Sequence, residues 1–205
     1  MTDASHAPNH HSHYPGFAGI HGLVGALSML GRESDAVLAA RLAQLGPDDT
    51  VVDVGCGPGT AARHAARVAT SVVGVDPAPV MLRVAKIVPR RARNLRFVAG
   101  TAEALPVGDE TASVLWSIAC VHHWQDIDTG LDEARRVLEP GGRFVAIERH
   151  TEPGAQGLRS HGWTDDRAEA FAEQCRAHGF TAVRVETQQA KQRSTIAVVG
   201  VRAKP

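Results

Sequence analysis

Residues Thr50 to Pro77, TVVDVGCGPGTAARHAARVATSVVGVDP, constrain this chain more than any other stretch. Thr50–Val54 reads as a short apolar strand that runs into Gly55-Cys56-Gly57-Pro58-Gly59. A helix follows, and a second apolar strand, Ser71–Val75, ends in Asp76. Only glycine lets a backbone turn this sharply and lets a ligand approach the main chain. A carboxylate at the end of the second strand can take both ribose hydroxyls of a nucleoside. The unit is therefore built to grip an adenosine-like ligand at the carboxyl edge of a parallel sheet.

The glycine spacing bears on which nucleoside that is. The dinucleotide fingerprint is G-x-G-x-x-G, whereas this turn is G-x-G-x-G with Pro58 inside it. A dinucleotide needs amides at the helix start for its pyrophosphate. S-adenosylmethionine has no phosphate and needs only room for its amino-acid end. Taken alone, the turn leaves both ligands open.

The chain has 205 residues, 43% of them hydrophobic, which is enough for one sizeable α/β core. Formal net charge is zero, and the one basic run, Arg90-Arg91-Ala92-Arg93, reads as a solvated helix end, so a nucleic-acid partner is not expected. Cys56, Cys120 and Cys175 are widely spaced and odd in number, forming neither a zinc pattern nor a disulfide framework. That usage, with no signal peptide and no apolar run long enough for a membrane span, predicts a cytoplasmic protein.

Residues 1–33 read as a flexible His-rich start (His6, His10, His11, His13) followed by a small apolar segment, GFAGIHGLVGALSMLGRES, expected to act as a lid. Residues 34–205 read as one domain. Its expected elements are helices from Ser34 to Leu45, Pro79 to Val88, Asp126 to Leu138 and Asp165 to His178. Further strands are expected at Asn94–Ala99, Ala112–Ala119, Arg143–Glu148, Phe180–Thr187 and Thr195–Ala203. The alternation predicts an α/β, Rossmann-like, doubly wound sheet of seven strands closed by an antiparallel final pair.

Four motifs stand in order: VVDVGCGPG, VGVDP, VAGTAEALP and LDEARRVLEPGGRFV. Together they resemble the class I S-adenosylmethionine-dependent methyltransferases, above all the small-molecule branch of ubiquinone/menaquinone-type and natural-product O-methyltransferases. The resemblance covers about Thr50–Glu148. It implies that S-adenosyl-L-methionine is the cofactor and that Asp53, Gly55, Cys56 and Gly57 line its methionine end. By the same resemblance Asp76 binds the ribose, Pro77 lies against the adenine, Thr101, Ala102 and Glu103 meet the adenine rim, and Ile118 and Ala119 lie under the sulfonium. The family often has Asp where this chain has Thr101. Tyr14 or His21, flanking the lid, would cover the pocket. The Asn-Pro-Pro-Tyr motif of amino-group methylases acting on DNA is absent.

Methyl transfer is an in-line displacement, and an aliphatic hydroxyl needs a base at the moment of attack. His122 and His123 follow the fourth strand, and Glu148 and His150 the fifth. They are the candidates for a base and an orienting carboxylate, in the order His123, His150, His122, with Glu148 as orienter. Packing of the helix start is the competing use of His123 and Trp124. A divalent metal held by the same groups with Asp126 and Asp128 is less favoured than helix capping by those aspartates. Cys56 reads as a small residue in the turn.

These features predict a methyltransferase acting on a small-molecule acceptor, with O-methylation of a sugar, other alcohol or phenol preferred. C- or N-methylation of a quinone or similar metabolite, an NAD-type oxidoreductase and a non-catalytic cofactor-binding protein are the alternatives. The short lid suggests an open acceptor site or one completed by a second subunit in a homodimer.

Overall fold

Seven strands join one sheet in the order β3-β2-β1-β4-β5-β7-β6. The computed structural model describes residues 33–88, 92–155, 157, 161–190 and 193–205. In chain order the elements are α1 (Glu33–Leu42), β1 (Thr50–Val54), α2 (Thr60–Ala65), β2 (Ser71–Asp76), α3 (Pro79–Ile87), β3 (Leu95–Ala99) and β4 (Ala112–Ile118). After them come α4 (Ile127–Val137), β5 (Leu138–Arg149), α5 (Asp165–Ala177), β6 (Phe180–Ala190) and β7 (Arg193–Arg202). The first five strands pair in parallel, and β7 lies antiparallel between β5 and β6. This is the Rossmann-like topology expected from the alternation of elements. The His-rich start and apolar segment, with Tyr14 and His21, lie outside the described residues.

The central strands are apolar on both faces because helices cover both. On one face Val52, Leu115, Phe144 and Ala146 pack with Leu131, Ala134 and Phe171. On the other, Val51, Trp116, Val145 and Ile147 pack with Ala39, Ala62 and Ala65. Full burial of a side chain such as Leu131 contributes roughly 1.5–3 kcal/mol.

Strand order reverses beside β1, which pairs with β2 on one side and β4 on the other. Crevices for ligands form at such switch points, outside the carboxyl ends of the strands. The segments leaving β1 and β4 are the glycine turn and residues 119–123.

One element differs from the sequence reading. The expected helix ends at Leu138 and the expected strand starts at Arg143, which leaves Pro140-Gly141-Gly142 between them. Instead β5 begins at Leu138, which already pairs with Ala112, and the register then shifts so that Val114 faces Arg143. The Pro-Gly-Gly step is a bulge inside the strand, with Gly141 at φ 88°. The preceding RRVL has its own physical cause. Arg136 bonds Glu133 (2.6 Å) and Asp109 (2.5 Å) and donates to the carbonyls of Val107 (2.9 Å) and Leu105 (3.1 Å), tying α4 to the loop before β4.

The aspartates weighed as metal ligands are used otherwise. Asp126 caps α4, accepting the Thr129 N–H at 2.9 Å. Asp128 and Asp132 hold the His178 ring at 3.1 and 2.8 Å, joining α4 to the end of α5.

Candidate active site

The glycine turn is fastened to β2 at both ends. The amides of Gly55 and Cys56 donate to the Val75 carbonyl (2.8 and 3.0 Å), and the Gly57 amide donates to Asp76 Oδ2 (2.8 Å). The two glycines serve different ends. A Cβ at position 55 would lie 2.0 Å from Cys120 Sγ, so the missing side chain makes room for the segment after β4. At position 57 a Cβ would meet no atom of the described residues within 4 Å, and φ is +52°. The backbone there borders open space. Cys56 is buried, and burial pushes its thiol well up, so it remains a neutral small residue.

Asp76 is 6% exposed. Its Oδ1 accepts the Ala78 N–H at 2.8 Å while Oδ2 holds Gly57, which among the described residues leaves one lone-pair direction on each oxygen. Burial raises its pKa although both amides pull the other way. Pro77 beside it is exposed.

Asp53 is 1% exposed, and its Oδ2 has no hydrogen-bond partner among the described residues. Burial pushes its pKa up to about 7, only partly offset by the Trp116 indole and the Ala62 amide, with the Asp76 charge adding to the rise. The folded value lies above the ordinary 3.8, so between about pH 4 and 7 the folded chain holds a proton that the unfolded chain has released. Stability is therefore lost as pH rises through this window. Asp53→Asn is expected to be more stable than the parent by about 2–4 kcal/mol at pH 8 in the ligand-free protein, with the difference shrinking toward pH 5. Urea denaturation at the two pH values checks this, and a variant less stable at pH 8 contradicts it.

At the end of β4, Ile118 is half-buried, and Ala119 adopts φ +52° while donating its amide to the Ile147 carbonyl (2.7 Å). A non-glycine residue in the left-handed region is uncommon, and here it turns the chain from β4 into a single 3₁₀ turn, Val121–His123. Val121 and Trp124 go into the core, Trp124 against Gly130 of α4, and His122 and His123 stay half-buried.

Glu148, 1% exposed near the end of β5, gives both oxygens to His122: Oε2 to ring Nδ1 at 2.9 Å and Oε1 to the backbone amide at 3.4 Å. The sequence reading ranked His123 first, but the carboxylate engages its neighbour. Both histidines sit on the single 3₁₀ turn that follows β4. The His123 ring packs on that of His122, with centroids 4.0 Å apart.

His150 stands apart from this pair. The chain leaves β5 at Arg149, and the His150 ring lies between Asp165 Oδ1 (3.2 Å) and Ser194 Oγ (3.3 Å). A cavity of about 680 Å³ opens along residues Arg149–Ala155.

The adenine-rim candidates also have local work. Thr101 bridges to Ala104, Ala102 is buried, and Glu103 Oε1 accepts the Gln125 N–H at 2.7 Å. Sequence reasoning missed His161, whose ring lies 5.7 Å from His122 and 6.5 Å from His123, edge-on to both. The 150–162 loop has no periodicity that would have revealed it. Among the described residues, no group of three or more His, Cys, Asp or Glu side chains is placed to hold a metal ion, and no helix is long and apolar enough to cross a membrane.

A sequence model of the family described as a methyltransferase domain matches residues 52–146, from β1 into β5. Over that segment the chain is similar to the class I S-adenosylmethionine-dependent methyltransferases. It is 34% identical over 100 residues to a demethylmenaquinone methyltransferase of Tropheryma whipplei, covering 49% of this chain and 41% of that protein. It is 31% identical over 176 residues to a malonyl-[acyl-carrier protein] O-methyltransferase of Methylococcus capsulatus, covering 79% and 63%. The chain thus spans less than two thirds of either methyltransferase. The fold superposes on Haemonchus contortus phosphoethanolamine N-methyltransferase 2 with a TM-score of 0.76 at 15% identity, over 92% of this chain and 59% of that one.

Proposed function

We propose that this methyltransferase domain transfers the methyl group of S-adenosylmethionine to a hydroxyl of a small-molecule acceptor, with His122 as general base and Glu148 as its orienting carboxylate. The observation that carries the reading is the Glu148–His122 pair. A buried carboxylate on Nδ1 fixes the ring tautomer with Nε2 as the basic nitrogen. An amine or a phenolate reacts by proximity and does not require such a pair, while an aliphatic hydroxyl does.

The chain's residues fit the cofactor. Among the described residues Gly57 borders open space and the buried Asp53 Oδ2 has no hydrogen-bond partner, which offers an acceptor for an ammonium group. The free lone pairs of Asp76 match two vicinal ribose hydroxyls, with Pro77, Thr101, Ala102 and Glu103 at the adenine end and Ile118 and Ala119 toward the sulfur. When bound, the cofactor supplies an electrophilic methyl group on a sulfonium. A cation beside Asp53 favours its ionised form, so binding should tighten as pH rises through about 7. Residues 34–205 act in this reading as one domain, since every described strand joins one sheet.

Calorimetry with S-adenosylmethionine and with NAD tests the cofactor. Labelled methyl transfer to alcohol, phenol, amine and carbon acceptors tests the reaction. We expect binding of the sulfonium nucleotide and not of NAD, and methylation of hydroxyls that survives EDTA. NAD binding alone, or activity lost in EDTA and restored by Mg²⁺ or Mn²⁺, would replace this reading.

A further inference from the structure

The loop between β5 and α5 brings a third imidazole to the Glu148–His122 pair. Its closure is fixed by two backbone bonds, Trp163 N–H to the Arg149 carbonyl (2.9 Å) and Thr151 N–H to the Trp163 carbonyl (2.8 Å). Trp163 is buried, its ring 4.8 Å from that of Phe171. Gly162 has φ +147°, and a Cβ there would lie 2.2 Å from the Arg149 carbonyl oxygen, so only glycine lets the loop return so close to β5. His161 immediately precedes this clamp, and its ring comes edge-on to His122 and His123. His122 and His123 come two and three residues after Cys120, whose Sγ would lie 2.0 Å from a Cβ on Gly55 of the glycine turn.

One histidine suffices to take a proton. A second imidazole donating to the attacking oxygen would make that oxygen less nucleophilic, so further imidazoles suit a different oxygen of the acceptor. A neutral imidazole both donates and accepts, which matches a hydroxyl. A hydroxyl oxygen bonded to a ring nitrogen lies about 4 Å from the ring centroid, and the two oxygens of a vicinal diol are about 2.8 Å apart. Rings with centroids 5.7 Å apart can therefore each hold one oxygen of the same diol.

We propose that the acceptor is an aliphatic vicinal diol of the kind a sugar ring carries, and that His161 binds the hydroxyl adjacent to the one methylated. The inference rests on the O-methyl reading above. In the step, the attacked hydroxyl's oxygen forms the bond to the methyl carbon, the carbon–sulfur bond breaks with its pair left on sulfur, and the hydroxyl proton goes to His122 Nε2. His161 gains and loses no proton and acts through binding.

Paired acceptors test this with the full chain and labelled S-adenosylmethionine: cis-1,2-cyclohexanediol against cyclohexanol, and catechol against phenol. We expect kcat/KM for the aliphatic diol to exceed that for the alcohol by about tenfold or more. His161→Ala should erase the difference through KM, leave kcat and the cyclohexanol rate within about threefold, and be partly rescued by His161→Asn. The dissociation constant of the diol from the complex with S-adenosylhomocysteine, measured by calorimetry, should rise by the same factor as KM. Turnover of cyclohexanol with no preference for the diol, or a preference unchanged by His161→Ala, overturns the role of His161 and leaves the O-methyl reading standing. Preference for catechol over the aliphatic diol overturns the acceptor class. A His161→Ala protein that loses cofactor affinity or thermal stability shows a structural role instead. If no hydroxyl acceptor is methylated, both readings fall.

Discussion

Alanine at His122 is expected to lower kcat by about 10²–10⁴-fold while S-adenosylmethionine affinity stays within about threefold. The ring acts on the acceptor proton and not on the sulfonium, so its loss belongs in the chemical step. Glu148→Gln should fall between parent and alanine variant, because the amide still fills the buried site but can bind Nδ1 in either tautomer and no longer stabilises the imidazolium. His123→Ala should cost less than His122→Ala, since Glu148 bonds both the ring and the amide of His122. His150→Ala should cost less still, because its ring lies between Asp165 and Ser194. Single-turnover rates and cofactor affinities, measured separately for each variant, check the order. Near-normal kcat in His122→Ala would assign the transfer to proximity alone and move the acceptor toward a phenolate, an amine or an activated carbon.

Valine at Gly57 is expected to weaken S-adenosylmethionine binding by more than about 100-fold in a protein that still folds. A Cβ there would meet no atom of the described residues within 4 Å, so the added side chain would enter the space assigned to the cofactor's methionine end. The left-handed backbone adds strain of roughly 1–2 kcal/mol, which lowers stability without unfolding a domain of this size. Gly55→Ala makes the contrast. Its Cβ would lie 2.0 Å from Cys120 Sγ, so its first effect should be on stability through displacement of the segment after β4. Calorimetry and thermal denaturation on both variants separate the two roles. Normal binding by a folded Gly57→Val protein would move the cofactor away from the turn.

Local patterns made the parallel half of the fold legible. The apolar runs at 50–54, 71–75 and 112–118 are buried on both faces, and a strand covered by helices on both sides has no other composition available. The glycine turn and the acidic end of β2 were legible for the same reason, because their conformation and bonds are made within one βαβ unit. Pro140-Gly141-Gly142 misled because a helix stop and a β-bulge use the same residues. The pairing of Leu138 with Ala112, a contact across the sheet, decides between them.

The candidate site divides along the same line. Sequence by itself determined the class of domain, the turn at Gly57, the carboxylates Asp53 and Asp76, and the presence of histidines after β4 with a glutamate on β5. These are properties of single elements and of their order in a doubly wound sheet. Only the tertiary structure decided which histidine meets Glu148, that Gly55 yields its side chain to Cys120, that His150 turns to Asp165 and Ser194, and that His161 joins the group. Each of these depends on the angle at which a short turn or an aperiodic loop leaves its strand. That angle is set by packing between distant segments, as where Gly162 closes on Arg149 and Trp163 packs against Phe171, and no local periodicity encodes it.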